Sequence, residues 1–278
     1  MALALVQSGA GDEAAVSPSP SELRKLPVAG VGVTAAEPEA VLSQIMTWAE
    51  GGRAAIVDFM PVHGLMEAAR DAVHRSRMAA FDIVAPDGQP VRWALNRLHG
   101  AGLRKRTYGP HMMRDVCAAA AWRGVPVYLY GGKPDVLAKL VAVLGERFPG
   151  LRIAGAESPP FRALTPEEDE AAVERINRSG AKIVLIGLGC PRQEVFAYEH
   201  RHRIDAVQLC VGAAFDMHAG AVPMAPTWMQ SRGLEWLYRL TREPGRLWKR
   251  YLVTNSQFLA YVGPSLLWRT LAPRAGGS

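Results

Sequence analysis

The chain has 278 residues, of which 49% are hydrophobic, so one large domain or two small ones with a real core can form. Its three cysteines (Cys117, Cys190 and Cys210) are odd in number and irregular in spacing, which argues against a disulfide framework and against a zinc site. The formal charge is +6, and from Ser231 onward eight Lys and Arg stand against two acids, so the last segment carries the whole excess.

In chain order, Met1–Pro20 is rich in Ala, Ser, Gly and Pro and reads as disordered. It has neither the basic region nor the long apolar core of a secretory leader, and no later run reaches the roughly 18 apolar residues needed to span a bilayer. A cytoplasmic protein is expected. From Pro38 helix and strand alternate: a helix over 39–50, a strand over 53–59, a helix over 64–77, a strand over 80–85 and a helix over 111–123. Three apolar runs follow, each ending in glycine: 125–130 before Gly131-Gly132, 183–186 before Gly187-Leu188-Gly189, and 206–211 before Gly212. Helices are expected over 135–147 and from about Arg192. Short β-branched runs alternating with amphipathic helices predict an α/β fold, a doubly wound and mostly parallel Rossmann-like sheet. After Pro226 the pattern changes to two helices, 228–242 and 244–262, rich in Arg, Trp, Tyr and Leu. The expected organisation is a disordered 1–20, an α/β domain over 21–226 and a C-terminal helical appendage over 227–278.

Ligands of an open α/β sheet sit outside the carboxyl ends of its strands. Asp87, in the run Ile83–Pro90 (IVAPDGQP), falls at such an end. Pro-Asp-Gly is also an ordinary turn, so the residues alone leave a turn and a catalytic base both open. Gly131, Gly132, Gly187 and Gly189 suit close approach of backbone N–H groups to phosphate, yet they complete no dinucleotide or P-loop fingerprint and equally suit tight strand-to-helix turns. Gln193 and Glu194 open a helix, where Glu complements the dipole or the pair contacts sugar hydroxyls. No Asp-x-Asp, His-Glu-x-x-His, Cys-x-x-Cys or Gly-x-Ser-x-Gly occurs, which lowers the standing of metal catalysis and serine hydrolysis. In the tail, Arg239 and Arg242 share one helix face, as do Arg246 and Arg250 with Lys249 beside them. Guanidinium forks suit diphosphate, and the interleaved aromatics suit a surface apolar at one end and wet at the other. A solvated basic face is the plainer reading.

Read in order, Asp82–Gly88 (DIVAPDG), Tyr128–Pro134 (YLYGGKP), Ile186–Glu194 (IGLGCPRQE), Val211–Gly220 (VGAAFDMHAG) and Gly233–Tyr251 (GLEWLYRLTREPGRLWKRY) resemble the WecG/TagA/CpsF glycosyltransferase family. The resemblance implies inverting, metal-independent and cofactor-free transfer of a sugar from a nucleotide donor, usually a UDP-sugar. The acceptor it implies is a sugar on a polyprenyl diphosphate, at the inner face of the bacterial membrane. It implies Asp87 as general base, Gln193 and less directly Glu194 in the donor pocket, and Arg239, Arg246, Lys249 and Arg250 as diphosphate ligands. The tail would also meet an anionic membrane surface; nucleic acid is not expected as a partner, because the charge lies in an aromatic tail and not along a groove. Two departures stand near the implied site. Where many members have Thr-x-Asn-x-x-His this chain has Asp58, Met60 and His63, and Gly109-Pro110-His111-Met112 replaces Gly-Ser-Asp-Leu. Asp58, His63 and His111 are therefore candidate substrate contacts. The alternatives are another nucleotide-sugar enzyme, an epimerase or dehydrogenase, and a membrane-surface homologue with weakened catalysis.

Overall fold

A computed structural model describes residues 23–271; the expected disorder of 1–20 lies outside the described residues, as do the side chains of Arg246 and Arg250. The chain opens on an antiparallel hairpin, β1 (Lys25–Val28) and β2 (Val31–Thr34), that the sequence reading does not anticipate. Its two-residue turn puts Ala29 at φ 50° and Gly30 at φ 78°, the left-handed pair whose twist matches that of the flanking strands.

The α/β body then runs α1 (Pro38–Glu50), β3 (Ala55–Met60), α2 (Val62–Arg70), α3 (Ala72–Ala79), β4 (Ile83–Pro86), α4 (Gln89–His99), α5 (Gly109–Arg123), β5 (Val127–Gly131), α6 (Pro134–Arg147), β6 (Ile153–Glu157), α7 (Pro166–Arg178), β7 (Ile183–Gly187), α8 (Arg192–Glu199), β8 (Val207–Cys210) and α9 (Ala214–His218). The six strands β3–β8 form one sheet in the order β4-β3-β8-β7-β5-β6, every pairing parallel. This is the doubly wound α/β fold that the alternation predicts.

Strand side chains alternate between two cores. Ile56, Val84, Tyr130, Val184 and Ile186 pack on one face, and Val57, Ile83, Leu129, Leu185 and Leu209 on the other. Burial on both faces explains why these strands read as continuous apolar runs. Asp58 shares the parity of Ile56 and Met60, so its carboxyl enters the first core.

Two single helices of the sequence reading are divided. The one expected over 64–77 breaks at Asp71, whose Oδ1 accepts from the N–H groups of Val73 (2.8 Å) and His74 (3.1 Å) and caps α3. The one expected over 228–242 is α10 (Thr227–Ser231) and α11 (Glu235–Arg242), followed by α12 (Pro244–Leu271). The break holds Gly233 at φ 72°, where a Cβ would stand 3.0 Å from Trp93 Cη2 and 3.3 Å from Gln89 Cβ. α12 lies across α2 and α4. It buries Leu247, Thr254, Phe258 and Val262, spaced seven, four and four apart along one face.

Candidate active site

The carboxyl ends of β3, β4, β5, β7 and β8 define one rim of the sheet, and three groups of side chains meet there. At the end of edge strand β4 the ladder is extended by Asp87 N–H donating to Met60 O at 3.2 Å, so the backbone of Asp87 is fixed. Its Oδ1 accepts from the N–H of Gly109 at 3.3 Å, at the start of α5. The residue is only partly covered, yet its surroundings are mostly protein. Burial therefore raises its pKa to about 7; Glu235 pushes the same way, while Arg106 and Arg239 oppose. Pro-Asp-Gly is thus a turn that pins a carboxyl whose pKa is raised to about 7.

The second group is one that sequence reasoning missed. Arg106 Nη1 donates to the carbonyl of Asp87 at 3.1 Å, and its guanidinium lies over the Tyr108 ring at 4.1 Å. From α11, Glu235 accepts from Arg106 Nη2 at 2.5 Å and from the Tyr108 hydroxyl at 2.7 Å. Arg106 stands in a basic stretch, Arg104-Lys105-Arg106, that reads as an ordinary solvated loop; nothing local marks one of its members as inward. A cleft of about 490 Å³ opens beside it, and its walls include Gln89, Arg92, Arg104, Arg106, His111 and Ser231. Such a wall favours anions. His111, expected as a substrate contact, is on this wall, edge-on to Tyr108 at 4.9 Å, with its pKa lowered mainly by burial. The roomier groove, about 740 Å³, is at the opposite end of α4, between the hairpin and α12.

The third group lies under the glycines. Gly131 and Gly187 are partners in the β5–β7 register. A Cβ on Gly131 would stand 2.6 Å from Gly187 C, and one on Gly187 would stand 2.5 Å from the Phe215 ring. Gly132 (φ 73°) donates its N–H to Gly187 O at 3.0 Å. Gly189, at φ 77°, faces open space. Here Gln193 accepts from the Gly189 N–H at 3.2 Å and donates to Glu194 Oε1 at 3.0 Å. Glu194 in turn faces Asp58; the two residues are 2% and 1% exposed, and burial raises both pKa values, with the Glu194 charge raising that of Asp58 further while a hydrogen bond from Asp58 favours ionised Glu194. One proton held between the two, on the Asp58 side, fits both shifts.

Asp58 and Glu194, expected near the substrate, are both nearly fully buried. They lie within the sheet rim, where Glu194 accepts from Gln193 and Gln193 in turn accepts from the Gly189 N–H, while both Asp58 carboxyl oxygens are buried without a hydrogen-bond donor. His63 lies half-buried in the first turn of α2, directly after β3. Of the tail cations, Arg239 is close enough to bias Asp87, and its Nε is buried without a hydrogen-bond partner. Lys249 is exposed on the outer side of α12, 5.5 Å from the Trp248 ring centroid, so the structure does not gather it with Asp87. Among the described residues, no group of three or more His, Cys, Asp or Glu is placed to hold a metal ion.

A six-stranded parallel sheet flanked by helices, with a rim carboxyl, two guanidiniums and glycine turns at the ends of its strands, defines a Rossmann-like α/β protein. Residues 26–272 match the model of the Glycosyl transferase WecG/TagA/CpsF family, and the chain belongs to that family. Its inherited chemistry is therefore glycosyl transfer.

Proposed function

We propose that the protein is an inverting, metal-independent glycosyltransferase of bacterial surface polysaccharide synthesis, moving a sugar from a nucleotide donor of the UDP-sugar type to a sugar carried on a polyprenyl diphosphate. A sugar hydroxyl is too weak an acid to attack unaided at neutral pH. Asp87 takes its proton as the new C–O bond forms, and a base whose pKa lies near the working pH contributes typically 10²–10⁴-fold. The bond from the anomeric carbon to the donor phosphate breaks, and the nucleoside diphosphate leaves with the electron pair. Arg106 and Arg239 are the donors that stabilise that charge.

The observation that carries this reading is the partly covered Asp87, its carboxyl pKa raised to about 7, beside Arg106 at the rim. A role at the membrane is supported by the outward side of α12, which exposes Trp248, Leu252, Val253 and Leu259 next to Lys249. Among the described residues, no helix is long and apolar enough to cross a bilayer. The test is transfer from a panel of UDP- and GDP-sugars to a polyprenyl diphosphate sugar, by wild type and Asp87→Asn. A folded variant that transferred at the wild-type rate would remove Asp87 as base.

A further inference from the structure

α11 sends a carboxylate into a setting otherwise suited to anions. The two oxygens of Glu235 take hydrogen bonds from two different donors, Arg106 Nη2 and Tyr108 O–H, at 2.5 and 2.7 Å. The ion pair is nearly enclosed, with 11% of the Arg106 side chain and 13% of the Glu235 side chain exposed. Two donors converging on two oxygens is also how a phosphate is held. One turn further along the same face, Arg239 brings its partnerless buried Nε toward the same cluster. Two guanidiniums thus surround a seat that holds only a side chain of the protein itself.

The seat also lies beside a break in the tail. Glu235 begins its helix directly after the Gly233 break. The contacts of α4 to that break are long: Gln89 Nε2 donates to the carbonyls of Gln230 and Ser231, each at 3.4 Å. The Glu235 contacts are far shorter, so they are the firmest hold between this turn of the tail and the rim.

We propose that Glu235 is a resident stand-in for a substrate phosphate: Arg106 and Tyr108 form a diphosphate seat that Glu235 fills in the closed resting form and leaves when the ligand arrives. Only the identity of the ligand as a substrate rests on the function proposed above. Glu235 opposes binding twice, by occupying Arg106 and by adding a negative charge next to Asp87. Removing the charge should therefore tighten binding.

The test titrates inorganic pyrophosphate into the full chain by calorimetry at fixed ionic strength. Glu235→Gln removes the charge, and Glu235→Asp keeps it on a side chain one methylene too short to reach both donors. Glu235→Gln is expected to bind about tenfold tighter than wild type, and Glu235→Asp a few-fold tighter, as the loss of one like charge at contact range predicts. Adding Arg106→Met to Glu235→Gln is expected to erase the gain. Unchanged or weaker pyrophosphate binding in a folded Glu235→Asp or Glu235→Gln chain would overturn the seat, as would a gain that survives Arg106→Met. Repeating the titration with UDP and with farnesyl diphosphate assigns the seat to the nucleotide, to the lipid or to both; a gain with neither would overturn it as a substrate seat. Binding and transfer separate the two proposals. A chain that passes these titrations but transfers no sugar sinks the proposed function alone, and one that transfers sugar with unaltered affinities sinks the seat alone.

Discussion

Asp87 and the pair Asp58–Glu194 are carboxyls raised for the same first reason, burial, with different consequences. Asp87 is only partly covered, and in its proposed role as base the raised pKa would set the working pH. Turnover is expected to climb as pH rises through about 7 and to level off above it, since only the ionised carboxylate can take a proton. Asp87→Asn should flatten that profile while losing on the order of 10²–10⁴ in rate; a variant that keeps the limb would assign it to another group. The folded state holds the Asp87 proton more tightly than the unfolded chain does. Its contribution to stability is thus whole below the ordinary carboxyl range and is lost as pH rises to about 7. The pair Asp58–Glu194 has the same sign, because both pKa values are raised. Asp58→Asn replaces the shared proton with a permanent amide donor to Glu194. It is expected to raise the melting temperature at pH 8 by about 2–4 °C, corresponding to roughly 1 kcal/mol, with little effect at pH 4. Equal shifts at both pH values would contradict a shared proton.

Among the elements, the strand-to-helix turns and the tail differ in how much of them local sequence encodes. Glycine runs after strands announce turns, but only tertiary contact shows which glycines have no substitute. Gly187→Ala would drive a Cβ to 2.5 Å from Phe215, a buried ring with little room to give. A loss of about 1–3 kcal/mol in denaturant unfolding is expected, against near neutrality for Gly145→Ala, which meets nothing within 4 Å. The start of α7 is encoded locally: Thr165 accepts from Glu168 N–H at 3.2 Å while the Glu168 carboxylate takes the Thr165 N–H at 2.9 Å, a capping box spelled out in Thr165-Pro166-Glu167-Glu168. Edge strand β6, with Ala154, Gly155 and Ala156 at its centre, is partly exposed and carries too little apolar signal to be read. For the tail, the amphipathic pattern predicts helices but not which face is covered. Removing α12 would uncover the partners of Leu247, Phe258 and Val262, so the sharper test of membrane binding changes only outward residues. Leu252→Ser with Leu259→Ser is expected to weaken binding to anionic vesicles about tenfold or more, since each apolar group withdrawn from the interface removes its burial free energy. An unchanged melting temperature would show the fold intact, and unchanged vesicle binding would rule out this face.

Across the whole molecule, the parts written in the chain are those governed by neighbours in sequence. Apolar periodicity specified five of the six parallel strands and most of the helices that cover them, and the β-then-glycine spacing placed Asp87 at a strand end. These features depend on residues a few positions apart, so pattern suffices. The cluster around Asp87 does not. Arg106 follows it by 19 residues, and Glu235 lies 129 residues beyond Arg106. The Asp58–Glu194 pair likewise spans β3 and α8 and exists only because β8 brings their strands together. Charge signs along the chain cannot say which ions will be shut away from water as partners. That depends on where the crossovers carry them, and on a low-dielectric interior in which an enclosed ion must find a partner or give up its charge.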